Sequence, residues 1–113
     1  MLKKTTNIVL EGKYKDEGIY PFSQNDYLKI VGGKSMTKSH VSSYTVIDET
    51  NKDQYSFWKG ALGVALLGGF GAIAGIRGKK KTEYLIAIEW QDGEKSLILI
   101  DDKYYKVFVK SMF

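Results

Sequence analysis

Cysteine is absent from this 113-residue chain. No disulfide, thiolate nucleophile or zinc–thiolate site can form, which fits a reducing compartment. Arginine occurs once, at Arg77, and proline once, at Pro21. Interfaces that read base edges lean on arginine forks, so nucleic acid is not an expected partner. Histidine also occurs once, at His40. Ser39, Ser42 and Ser43 surround it in sequence, but no carboxylate is fixed nearby to orient the ring as a triad requires. An exposed strand histidine accounts for it, and no catalytic residue is expected. The start of the chain lacks the form of a secretory signal, because Ile8-Val9-Leu10 is too short an apolar stretch and Glu11 ends it. A cytoplasmic protein is the expectation.

Other absences narrow the chemistry further. Asp92, Glu94, Asp101 and Asp102 do not have the ligand spacing of a calcium loop, and a turn and a helix cap explain them better. No metal site and no cofactor are expected. The glycines before Lys79 do not match the phosphate-loop pattern: Ile73 stands where its first glycine belongs, and Lys80 where Ser or Thr would follow the lysine. A nucleotide hydrolase is therefore not expected, and the chain is read as a non-enzyme.

What is present is mostly β pattern. The length suits one domain, 1–113, with one core. Residues 6–14 read as an opening strand, and 18–22 as an extended edge strand because Pro21 cannot donate to a ladder. Residues 27–31 and 38–48 read as further strands. In the latter, strict alternation puts His40, Ser42, Tyr44 and Val46 on one face and Val41, Ser43, Thr45 and Ile47 on the other. Tyr84, Ile86, Ile88 and Trp90 share a face of the next strand, and Asp92-Gly93 marks a tight turn into 95–100. After Asp101-Asp102 the period changes: Tyr105, Phe108, Val109 and Met112 follow i, i+3, i+4, i+7. A short capped helix over the sheet is expected, with a further strand as the alternative. Eight tyrosines and two tryptophans could supply stacking surfaces, although aromatics on β-faces more often belong to a core.

One stretch breaks the pattern. From Gly60 to Ile76 about seventeen residues carry no charge and are mostly Gly, Ala, Leu, Val and Ile. Small residues recur at helical spacing, with Gly68 and Ala72 on one row and Gly71 and Gly75 on another, so helix backbones can approach closely. Glycine weakens an isolated helix by about 1 kcal/mol per residue, so the stretch should be helical only when packed. Two short helices near 57–67 and 70–77 are expected, broken at Gly68-Gly69. Gly68, Gly71, Ala72 and Gly75 are the candidate oligomer interface. The alternative is membrane association through 60–76. One helix of that length is roughly 25 Å, short for a bilayer core of about 30 Å. Arg77, Lys79, Lys80 and Lys81 follow at once. They form a candidate anion site, or a solvated turn that keeps the apolar stretch in solution. The net charge of +4 favours anionic partners weakly.

The order "YTVIDE", a Gly-rich insertion ending in "KKK", and "YLIAIEWQDGEKSLILIDDKYYKVFVKSMF" resembles a group of small uncharacterised proteins of Gram-positive bacteria and their phages. That group is similar to compact β-domains of the pleckstrin-homology-like (PH-like) or GRAM-like kind. The resemblance covers about residues 41–113, and Asp92, Gly93, Lys95, Ser96, Leu97, Asp101 and Tyr104 or Tyr105 carry most of it. It implies an α+β fold, mainly antiparallel β as a PH-like sheet or partial barrel. A Gly-rich helical hairpin (57–78) would be inserted in it, and a short C-terminal helix would follow. It also implies binding of peptides or lipid headgroups. The expected function is a non-enzymatic, oligomeric binding protein. In its phage form this would be an anti-defence protein that blocks a host defence protein or sequesters a phosphorylated nucleotide signal.

Overall fold

In the runs Tyr84-Leu85-Ile86-Ala87-Ile88 and Leu97-Ile98-Leu99-Ile100 nearly every residue is apolar, and neither run alternates with polar residues. A strand of that composition is buried on both faces. In the structure of the protein, a computed structural model that describes residues 6–47, 54 and 83–113, these runs form the two central strands of a sheet. The described chain is ordered as β1 (Ile8–Gly12), β2 (Ile19–Phe22), β3 (Tyr27–Ile30), β4 (Ser35–Met36), β5 (Val41–Ile47), β6 (Glu83–Trp90), β7 (Lys95–Asp101) and helix α1 (Asp102–Ser111). The fold is α+β: two antiparallel sheets, ordered β1-β7-β6-β5 and β2-β3-β4, and one C-terminal helix. β1 ties the sheets together, because Ile8 bridges Gly18 and the Val9 N–H donates to the Glu17 carbonyl at 2.9 Å.

Register assigns each face of the larger sheet. Val46, Ile86, Ile98 and Val9 form one cross-strand row, and it points inward. There it meets Ile19, Leu28, Ile30 and Met36 from the smaller sheet and Phe108 from α1. The next row is Ile47, Leu85, Leu99 and Ile8, followed by Thr45, Ala87 and Leu97. These side chains point the other way and do not belong to the inner core, yet Ile47, Leu85, Leu99, Ile8, Ala87 and Leu97 are all buried, and only Thr45 is exposed. The sheet therefore has two apolar faces, and α1 serves only the inner one. The sequence reading assigned just one face, that of Tyr84, Ile86, Ile88 and Trp90.

One other expectation changes. Strict alternation along 38–48 fails at a bulge between Val41 and Ser43. The extra residue flips the parity, so Val41 joins Tyr44 and Val46 on the inner face instead of Ser43, Thr45 and Ile47. The hairpin loop is four residues, Gln91 to Glu94, and only Gly93 takes a positive φ, +89°. The Asp92-Gly93 pair sits inside this loop, and the strands end and resume where the sequence placed them, at Trp90 and Lys95. Aromatics on β-faces more often belong to a core, but Tyr20, Phe22 and Tyr27 do not. They lie instead on the face of β2 and β3 opposite Ile19, Leu28 and Ile30, which take the inner positions.

The C-terminal helix is present where its period placed it, and the strand alternative is not adopted. Asp101 caps it, accepting the Tyr104 N–H at 2.8 Å. The same carboxylate accepts from Asn7 Nδ2 at 3.1 Å, and Asn7 Oδ1 accepts the Asp101 N–H at 2.9 Å. The start of α1 is thereby fastened to the start of β1. Gly12 shows a different constraint. Its φ is +87°, and a Cβ there would collide with the Lys95 carbonyl of the paired strand. The Gly-rich insertion expected at 57–78 lies outside the described residues.

Phe108 is fully buried and stands edge-to-face on Tyr44 with ring centroids 4.8 Å apart. Phe108→Ala is expected to lower the unfolding free energy by about 3–5 kcal/mol, read from the urea midpoint.

Candidate binding groove

β5 is the terminal strand of its sheet, and α1 ends beside its first residues. Between them lies an open groove of about 450 Å³ lined by Lys38, Val41, Ser42, Ser43, Tyr44, Gln91 and Met112. The bulge puts both Ser42 and Ser43 at the surface. Tyr44 and Val41 form the apolar floor, and Met112, the C-cap of α1, forms one wall.

The groove is held by hydrogen bonds from three segments. The Gln91 N–H donates to the His40 carbonyl at 2.8 Å, and Gln91 Nε2 reaches the carbonyls of Lys38 and Val41 at 3.4 Å each. The Val41 N–H donates to the Thr37 carbonyl at 2.8 Å, closing the turn before β5. Ser111 Oγ donates to the Met36 carbonyl at 3.1 Å, which ties the end of α1 to β4. The lining is rich in hydrogen-bonding groups: two serine hydroxyls, an amide and one ammonium. Such a set suits a ligand with carbonyls and a carboxylate.

Gln91 owes its position to an ionic clasp. Asp92 Oδ2 accepts from Lys13 Nζ at 2.7 Å and from Lys34 Nζ at 2.9 Å, and Asp92 Oδ1 accepts the Glu94 N–H at 2.9 Å. The β1–β2 turn, the β3–β4 turn and the β6–β7 loop are gathered on one carboxylate. The hydrogen bond from Lys13, then the Glu94 amide and Lys34, hold the Asp92 carboxyl well below the usual carboxylate range. The Lys13 ammonium is raised in return, chiefly by its bond to Asp92. Beneath the clasp, Trp90 Nε1 donates to Ser96 Oγ at 2.8 Å, Ser96 Oγ donates to the Lys13 carbonyl at 2.6 Å, and Tyr14 stands edge-on to Trp90 at 5.8 Å.

The residues singled out from sequence fall elsewhere. His40 sits on the turn before β5, with its Nδ1 3.4 Å from Ser39 Oγ, and among the described residues no carboxylate contacts the ring. Asp101 is the helix cap and Asp92 the clasp. Among the described residues no group of three or more His, Asp or Glu is placed to hold a metal. The anion candidates Arg77, Lys79, Lys80 and Lys81 lie outside the described residues, as do the interface candidates Gly68, Gly71, Ala72 and Gly75. Sequence reasoning missed the groove. Its one local signal is that Val41 to Ile47 holds no charged residue, whereas edge strands commonly carry charge.

No family model matches the chain, and neither a curated protein nor a solved structure matches it.

The clasp has a pH signature. A carboxyl held below its unfolded value contributes stability that is present above the unfolded pKa, near 3.9, and is lost as pH falls through the folded value. Asp92→Asn should therefore lower the thermal midpoint at pH 7. The gap to the unsubstituted chain should shrink below about pH 4, as read from melting curves at both pH values.

Proposed function

We propose that the chain is a non-enzymatic, oligomeric binding protein that takes an extended segment of another protein along β5. The observation that carries this reading is the terminal strand itself, uncharged from Val41 to Ile47 and bordering an open groove. Among the described strands β5 ends its sheet, and its groove end, Val41–Tyr44, can serve as a template for a partner strand: main-chain hydrogen bonds supply affinity, and adjoining pockets supply selectivity. Lys38 and Ser42 add donors for a carboxylate on that segment. A phage chain of this kind would act as a stoichiometric blocker of a host defence protein, seated on its surface.

Two findings support the finer architecture. Seven strands in two sheets followed by a helix agree with a PH-like domain. The buried row Ile47, Leu85, Leu99 and Ile8 supports a Gly-rich helical hairpin packed on the outer face of the larger sheet. Segment 48–82 joins β5 to β6, neighbours in that sheet, and is apolar enough to cover such a face. Its small-residue rows then serve contacts between copies. Anchoring by 60–76 as one membrane span is the weaker reading. Ile47 stands opposite Leu85, so both ends of segment 48–82 leave the sheet at one place. A single crossing would put them on opposite sides of the bilayer. Among the described residues no helix is long and apolar enough to cross a membrane.

A displayed library of random 12-residue peptides, panned on the intact chain, tests the groove. Enriched peptides should lose at least tenfold in affinity by calorimetry on Ser43→Lys, which guards the edge, and on Lys38→Glu. An absence of enrichment, or equal binding by these variants, overturns the assignment. Light scattering tests assembly: a discrete oligomer is expected, falling to monomer with Gly71→Leu.

A further inference from the structure

The outer face of the β2–β3 hairpin carries three aromatic rings that the fold does not use. Ile19 pairs with Ile30 and Pro21 with Leu28, and the inner core claims Ile19, Leu28 and Ile30. Alternation sends the other pairs outward: Tyr20 with Lys29 and Phe22 with Tyr27. Val31, bonded through its N–H to the Gly18 carbonyl, continues the same face. Phe22 is 42% and Val31 48% exposed, two of the three large apolar side chains that the described chain leaves in water. Every other aromatic among the described residues, Phe113 apart, lies in or against the inner core. Tyr20, Tyr27 and Lys29 are half-buried beside Phe22 and Val31, and a contiguous apolar patch at the surface marks a binding surface more often than a scattered exposed residue does.

The geometry is that of a shallow stacking platform. The Phe22 and Tyr27 ring centroids are 5.6 Å apart at 44°, and Tyr20 stands 6.3 Å from Phe22. Lys29 Nζ lies 4.8 Å from the Phe22 centroid, and among the described residues Lys29 makes no ion pair. The outward rows hold this one ammonium and no carboxylate. The nearest acid in the chain, Asp26 in the connecting loop, is turned to Ser23 Oγ at 3.3 Å and to Lys110 at 3.9 Å.

We propose that this face binds single-stranded nucleic acid, with unpaired bases stacking on Phe22, Tyr27 and Tyr20 and Lys29 meeting a backbone phosphate. Charge complementarity favours a polyanion, since the face is cationic and the chain carries +4 overall. Single strands are held by aromatic side chains on an open sheet face together with a basic track, and need no base-edge reading. The single arginine therefore argues against duplex recognition and leaves stacking untouched. A bilayer fits less well, because the tip beside the rings is Ser23-Gln24-Asn25-Asp26 and offers no apolar wedge.

The test is fluorescence anisotropy of the intact chain with fluorescein-labelled dT20 and U20, titrated in 50 mM and 200 mM NaCl. Binding should be present at low salt and weaken with salt. Phe22→Ala and Tyr27→Ala should each weaken it by about tenfold. Phe22→Leu, which keeps an apolar contact but removes the ring face, should behave like Phe22→Ala. Lys29→Gln should reduce the log–log salt slope by about 0.7. Lys103→Gln, on the first turn of α1, should change nothing. Melting curves of all five variants should match the parent chain, because these side chains stand outside the core. The proposal is overturned if neither oligonucleotide binds. It is overturned too if the ring variants bind as the parent does, which would place the contact at lysines elsewhere. Ring-dependent sedimentation with phosphatidylserine vesicles in place of oligonucleotide binding would assign the face to a membrane and overturn it as well.

Discussion

A hairpin that is apolar on both faces cannot stand in water, and much of this structure follows from covering β6 and β7. On the inner face the cover is complete among the described elements: the smaller sheet and α1 close over Ile86, Ile88, Ile98 and Ile100. On the outer face the row Ile47, Leu85, Leu99, Ile8 crosses the whole larger sheet and is buried as well. Area removed from water, at about 25 cal/mol per Å², is the dominant favourable term in a chain without disulfides. Burial on both faces is therefore needed by a domain this small.

The parts legible in the sequence were those specified by short-range pattern. Asp101 followed by Tyr105, Phe108, Val109 and Met112 carries a cap and a helical stripe within twelve residues, and α1 forms there. Asp92-Gly93 between two aliphatic runs placed the central hairpin. The features that escaped depend on distant partners or on one inserted residue. Nothing near Lys13 announces Asp92, seventy-nine positions away, as its partner. The β5 bulge is a single residue whose effect is to reverse a face, and period-two counting cannot see it. β4, two residues long, carries no period. Tyr20 and Tyr27 have the composition of core aromatics. Only their pairing with Lys29 and Phe22 shows that they face outward.

The two surfaces singled out, the groove and the aromatic face, use opposite aspects of β structure. The groove offers a strand edge and its main chain, and side chains there only tune the fit. The aromatic face offers side chains, and its β3 is paired on both sides. The groove is held by Gln91, whose loop is clasped by Lys13 and Lys34, so its shape responds to ionic strength and acid. The aromatic face is fixed by register alone and does not share that sensitivity.

The connection between β5 and β6 also sets an order of assembly. Pairing β6 with β7 closes a four-residue loop, whereas pairing β5 with β6 must close the thirty-five positions from 48 to 82. Bringing together residues farther apart in sequence costs more entropy, which favours the hairpin as the earlier pairing. The strand that borders the groove is thus the one that joins the central hairpin across the longer separation in sequence.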